Sequence, residues 1–115
     1  MKIKFIFALL AFVFFGCGDG QIFGNVICDT APSANPISGM DPLEVTFTEN
    51  AQGAVGYLWS FGDLNTSTEE NPVHTFQLLD PNVNQQYTVT LRAFGINESF
   101  ADCPSISITV ESCCA

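Results

Sequence analysis

Past its fourth residue the chain carries one basic side chain. Lys2 and Lys4 stand at the start and only Arg92 follows, against twelve aspartates and glutamates, for a net charge of −9 over 115 residues. A surface this acidic repels phosphate backbones, which excludes nucleic-acid partners. It also offers no polybasic patch to anionic lipid. Histidine is as scarce: His74 stands alone, and none of the five cysteines falls in a Cys-x-x-Cys pair, so zinc lacks a ligand set. The expected metal and cofactor content is none. Calcium is the one cation that the acidic loops leave open, through oxygens of Asp63, Asn65, Glu69, Glu70, Asn71, Asp80 and Asn82, although no calcium-loop motif organises them. No apolar run is long enough to cross a membrane. The longest, Phe5 to Phe15, has eleven residues where a span needs ~20. Helical periodicity is nearly absent, and so are internal repeats.

What is present is alternation. Tyr57, Trp59 and Phe61 occupy every second position, and Trp59 is the only tryptophan. A period of two puts them on one face of a strand, where so large an aromatic row forms the centre of a core. Gly62-Asp63 ends that row with turn chemistry. Leu43, Val45 and Phe47 alternate with polar residues, as do Tyr87, Val89 and Leu91, and Ile106, Ile108 and Val110. Each set marks a strand with one buried face. Val73 to Phe76 reads as a short edge strand behind Pro72, and a first edge strand is expected within Val26–Ser33. Gly95-Ile96-Asn97-Glu98 reads as a hairpin loop. About seven short strands punctuated by Gly, Pro, Asn and Asp predict one all-β sandwich.

At this level the motifs become specific. Asn35-Pro36, Gly39 and Pro42-Leu43-x-Val45-Thr46-Phe47 come first, then Tyr57-x-Trp59-x-Phe61-Gly62-Asp63. Ser67-Thr68-Glu69-x-Asn71-Pro72-x-His74-x-Phe76, Tyr87-Thr88-Val89-Thr90-Leu91 and Ile106-x-Ile108-Thr109-Val110 follow. In this order and spacing, over about residues 28–111, they resemble the polycystic kidney disease (PKD) domain. The resemblance implies an immunoglobulin-like β-sandwich of the kind found in extracellular spacers and binding modules. It makes Tyr57, Trp59, Phe61, Gly62, Asp63, Pro72, His74, Phe76 and Tyr87 the fold signature. Three features depart from the family pattern. Ser60 stands where the family has aspartate, and Leu64 where it has glycine. Gln77 to Gln86, ten residues, replaces a tight turn and exposes Leu78, Leu79 and Val83 as a candidate binding loop.

The same fold bears on the cysteines. In an immunoglobulin-like sandwich the first strand can run parallel beside the last. Cys28 opens the one and Cys103 precedes the other, which implies a Cys28–Cys103 disulfide. Pairing of Cys28 with Cys113 stays open, and Cys113-Cys114 can otherwise remain free or link between molecules.

The N-terminus gives an address. Two lysines, an eleven-residue apolar run and Gly16-Cys17 resemble the signal and lipobox of bacterial lipoproteins, although the position three before the cysteine, usually leucine, is Phe14. The resemblance implies a signal peptide over 1–16 and a lipidated Cys17 opening a tether over 17–27. The sandwich over 28–111 and a tail over 112–115 complete the organisation. Cleavage after Gly20 would instead release a secreted protein. A hydrolase triad of Ser60 or Ser67 with His74 and Asp63 has no nucleophile-elbow motif to support it. The expected product is therefore not an enzyme. It is a cell-envelope lipoprotein whose PKD-like domain contacts an envelope protein or acts as a spacer, and which touches the membrane through its lipid anchor only. The alternative is a carbohydrate-binding module for a surface glycan. Such modules need exposed aromatics, and Phe94 and Phe100 are the candidates.

Overall fold

The structure, a computed structural model, describes residues 25–112. Cys17, the signal peptide, most of the tether and the pairing of Cys113 and Cys114 lie outside the described residues.

Those residues form nine strands in two sheets: β1 (Ser33–Asn35), β2 (Ser38–Met40), β3 (Leu43–Thr48), β4 (Gly56–Ser60), β5 (Thr66–Ser67), β6 (Val73–Phe76), β7 (Gln85–Phe94), β8 (Phe100–Asp102) and β9 (Ile106–Glu111). A three-stranded sheet runs β1-β3-β6, and a larger one runs β2-β9-β7-β4-β5 with β8 also paired to β7. Burial follows the alternation in the sequence. Leu43, Val45 and Phe47 are buried while Glu44, Thr46 and Thr48 are exposed. Along β7, Tyr87, Val89, Leu91 and Ala93 point inward. The aromatic strand supplies the centre: Trp59 and Phe61 pack on Phe47 with ring centroids 5.2 and 5.4 Å away. Phe76 completes the cluster edge-on.

The first edge strand lies later than the Val26–Ser33 that the sequence predicts. Val26–Ser33 makes one bridge, Ile27 to Gln52, and laddered pairing begins only at Ser33. The chain then changes sheets. β1 pairs antiparallel with β3, and β2 pairs parallel with the last strand, β9. The parallel first-to-last contact therefore belongs to Ser38–Met40, ten residues beyond Cys28. β2, β5 and β8 were not legible because two or three residues carry no period. The segment between β6 and β7 is also shorter than expected, since Gln85 and Gln86 already belong to β7. Leu78 packs against the core, whereas Leu79 and Val83 are exposed.

β8 and β9 behave as one strand with a bulge. The register is Arg92 to Asp102 on one side and Val89 to Ile106 on the other, so three residues oppose two. An extra residue inverts the inward parity. Cys103 consequently faces in, together with Ile108 and Val110, although its number is odd and theirs are even. Its N–H donates to Leu91 O at 2.9 Å, and it is joined to Cys28 with a Cα–Cα distance of 5.0 Å.

The two ends of the sandwich differ. Asn25 to Ile27 enter beside Gln52-Gly53, where β3 has ended. Leu78 lies at the other end, its N–H donating to Asp41 beside the start of β3. Ser112 is at that far end too, held by Asn84 Oδ1 at 2.7 Å. Cys28 is already bonded to Cys103, which leaves it no thiol for Cys113.

The turn after the aromatic strand has an unfavourable backbone. Gly62 has a φ of 83°, and a Cβ there would stand 2.6 Å from Thr88 O, so glycine is required. Leu64 has a φ of 75° and a wholly exposed side chain. A left-handed leucine costs roughly 1–2 kcal/mol, of which the entropy of an unfolded glycine would return part. Leu64→Gly is expected to stabilise the domain by about 0.5–1 kcal/mol, read as a higher denaturant midpoint at unchanged slope. A variant no more stable than its parent would show that Leu64 sits there without strain.

Candidate functional site

His74 is the natural first candidate for chemistry, and its surroundings use it up. It lies on β6 opposite Val45. Its Nε2–H donates to Asp63 Oδ2 at 2.7 Å. The ring stacks on Phe61 at 4.1 Å and 5°, with Phe76 edge-on at 4.7 Å. Neither serine offered for a triad bonds to it. Ser60 faces the opposite sheet surface beside Thr90, and the Ser67 hydroxyl accepts the Glu69 N–H. Burial works against the Asp63 charge, but hydrogen bonds from His74 and Asn65 outweigh it and hold the carboxyl below the usual aspartate range.

That shift fixes a pH dependence. A carboxyl with a depressed folded-state pKa adds stability that is complete above its unfolded pKa and disappears as pH falls through the folded value. The wild-type melting temperature should therefore fall below about pH 4 more steeply than that of Asp63→Asn. At neutral pH the variant should be weaker by about 1.5–3 kcal/mol, the usual worth of a hydrogen bond to a charged group. Parallel melting curves for the two proteins across that range would remove the pair from any account of acid stability.

The remaining signature residues hold the two sheets together. Trp59 is fully buried and its indole N–H donates to Glu69 O at 3.0 Å. Pro72 is fully buried, and its carbonyl accepts the Phe47 N–H. The Tyr87 hydroxyl donates to Gln77 O, which closes the start of the loop that carries Leu78 and Leu79. Tyr57 is half-buried and reaches Glu70 at 3.5 Å. Burial, then the neighbouring charges of Glu49 and Glu70, push its hydroxyl pKa up. Glu49 is raised as well, first by burial and then by Glu70.

The oxygens considered for calcium do not converge. Asp63 and Asn65 belong to the His74 corner. Glu70 lies with Tyr57 and Glu49, and the Asn71 side chain accepts the Glu49 N–H. Asp80 caps its own turn at Asn82. Among the described residues no three His, Cys, Asp or Glu side chains are grouped to hold a metal.

A site that sequence reasoning missed lies on the outer face of the larger sheet. Leu58 and Ser60 of β4, Thr90 and Arg92 of β7, and Asp102 of β8 line an open groove of about 400 Å³. Arg92 donates from Nε to Asp102 Oδ1 at 2.6 Å and from Nη2 to Oδ2 at 3.1 Å. Its guanidinium also lies over the Phe100 ring, 4.4 Å from the centroid. Phe100 is half exposed, whereas Phe94, its cross-strand partner, is partly buried. The Arg92 hydrogen bonds lower the Asp102 pKa, and Asp102 in turn raises that of Arg92. The sequence did hold one signal: the last base in an acidic chain falls on the outward parity of its clearest strand.

Comparison with known proteins bears on this geometry. The family model described as PKD domain matches residues 28–110. The PKD1 domain of Vibrio anguillarum Epp is 26% identical, with a TM-score of 0.51 over 72% of this chain and 96% of that one. A structure reported as "Structural basis for the promiscuous specificity of the carbohydrate-binding modules from the beta-sandwich super family" has a TM-score of 0.59 at 20% identity. It covers 83% of this chain, which spans only 37% of that protein's length, so the likeness is one of fold. No curated protein matches the chain significantly.

Proposed function

The chain belongs to the PKD domain family, and from that premise we propose that it serves as a non-catalytic cell-envelope lipoprotein whose domain engages an envelope protein or holds one at a distance. Cys17 carries the lipid, residues 17–27 form the tether, and the sandwich follows. One observation carries the reading: the chain enters at the Gln52-Gly53 end, and the loop with Leu79 and Val83 lies at the other. A tether at the first end turns the second away from the membrane, where exposed apolar side chains can meet a partner. Engagement of His74 by Asp63 supports a non-catalytic role. Among the described residues no helix is long and apolar enough to cross a membrane.

Intact mass from native membranes tests the anchor. The expected species begins at Cys17 and carries acyl chains, and one beginning near Gln21 without lipid would overturn it in favour of secretion. A photo-crosslinker placed at residue 79 in living cells should give a discrete adduct, and one at residue 55, beside the tether end, should not. The reverse pattern would overturn the assignment of the loop.

A second reading, a carbohydrate-binding module, draws support from the exposed Phe100 ring and from the groove beside it that Arg92 lines. The carbohydrate-binding sandwich that this fold resembles points the same way. Binding of a soluble oligosaccharide, with loss on Phe100→Ala, tests it.

A further inference from the structure

We propose that the groove between Leu58 and Asp102 is a binding site for a neutral oligosaccharide, an inference that rests on the carbohydrate-binding reading. Its size falls within the ~300–1,000 Å³ of small-molecule sites. The argument for the occupant is one of charge. The base in the groove is matched by Asp102, so the wall is locally neutral, and the chain as a whole stands at −9. An anionic ligand would meet no unpaired cation here and would be repelled at longer range. A cation would have to compete with Arg92 for Asp102.

A sugar hydroxyl, by contrast, both donates and accepts. The Arg92–Asp102 fork uses Nε and one Nη2 proton, which leaves the second Nη2 proton and both Nη1 protons as donors and the second lone pairs of the carboxylate as acceptors. Adjacent hydroxyls of one pyranose can bridge that pair. The fork is held in place before any ligand arrives, by two hydrogen bonds and by the ring of Phe100, so little ordering remains to be done on binding. Ser60 and Thr90, cross-strand neighbours lining the groove, supply two more hydroxyls, and Leu58 gives an apolar surface on which a pyranose face can rest, with the half-exposed Phe100 ring flanking the groove beside Arg92.

The test titrates the ¹⁵N-labelled mature protein with cello-, laminari-, xylo- and manno-oligosaccharides, and with a sulfated oligosaccharide alongside. At least one neutral sugar should shift the amides of Ser60, Thr90, Arg92, Phe100 and Asp102 saturably. Phe100→Ala and Asp102→Asn should each weaken that binding about tenfold or more at unchanged melting temperature, as expected of central contacts. Val73→Thr, on the other sheet, should leave it unaltered. Saturable shifts outside the groove, or preference for the sulfated sugar, would overturn the site while the carbohydrate-binding reading stands. The absence of shifts with every sugar would overturn both.

Discussion

Trp59→Ala is expected to cost ~3–5 kcal/mol, the usual price of emptying an aromatic site in a core. Three losses coincide there. The side chain has no solvent exposure and packs on Phe47 at 5.2 Å, so its removal leaves a void between the sheets. Its N–H is the donor for Glu69 O at 3.0 Å, and that link fastens the β5–β6 connection to the core. Trp59 also pairs with Leu91 on one side and Ser67 on the other, so collapse around the void would disturb both neighbouring strands. Domains of this size have ~5–15 kcal/mol in total, and a kcal/mol moves the melting point by ~4–8 °C. The variant should therefore melt at least ten degrees or so below its parent, or fail to fold at all. Trp59→Phe separates the terms. It keeps most of the ring and loses the hydrogen bond, for an expected ~1–3 kcal/mol. Melting of the alanine variant within a few degrees of wild type would mean that the aromatic strand is not the core.

The sandwich was legible where burial imposes a long, regular alternation, and the rest was not. Leu43–Phe47, Tyr57–Phe61 and Tyr87–Leu91 each keep one face against the opposing sheet, and that requirement writes itself into the residues. β1 and β2 are three residues each and lie at sheet edges, where neither face need be apolar, so the sheet switch between them left no pattern. The bulge after β8 hid Cys103 from parity arguments. The Cys28–Cys103 pair was reached from the fold's first-to-last adjacency, which does exist, but in β2 rather than in the segment that opens with Cys28. The His74–Asp63 contact was half legible: a half-buried, hydrogen-bonded histidine could be expected from strand parity with Phe76, while its partner, eleven residues away across a loop, could not. The groove was the least legible. Arg92, Asp102 and Ser60 come from three strands, and only the register of β4 and β8 on β7 makes them neighbours.

The second large effect concerns the disulfide. Replacing Cys28 and Cys103 together by alanine should lower stability by ~2–5 kcal/mol, with the chain-entropy model giving ~4 kcal/mol for a bridge across 75 residues. The placement of Cys28 sharpens this expectation. It lies outside every laddered strand, in a segment held by one β-bridge, Ile27 to Gln52, and by the Asn50 side-chain amide, which donates to Thr30 Oγ1 and Ala31 O. Losing the disulfide leaves the β-bridge and the Asn50 hydrogen bonds in place, so most of the effect should come from an unfolded chain released from a long loop. Two measurements distinguish the origins. If the unfolded chain is the target, the denaturant slope rises because more surface is exposed on unfolding, while amide shifts in the folded state change only around Cys28, Gln52, Leu91 and Cys103. If folded contacts were the target, shifts would spread through β7 and β9 at an unchanged slope. The outcome also bears on the proposed role of the groove. Cys103 lines it beside Asp102, and the bulge that turns Cys103 inward turns the Asp102 carboxylate outward toward Arg92. If the groove takes the proposed oligosaccharide, the reduced or substituted protein, folded but with the bulge free to relax, should lose that affinity before it loses its fold. Equal affinity with and without the bridge would show that the β8 register alone fixes Asp102.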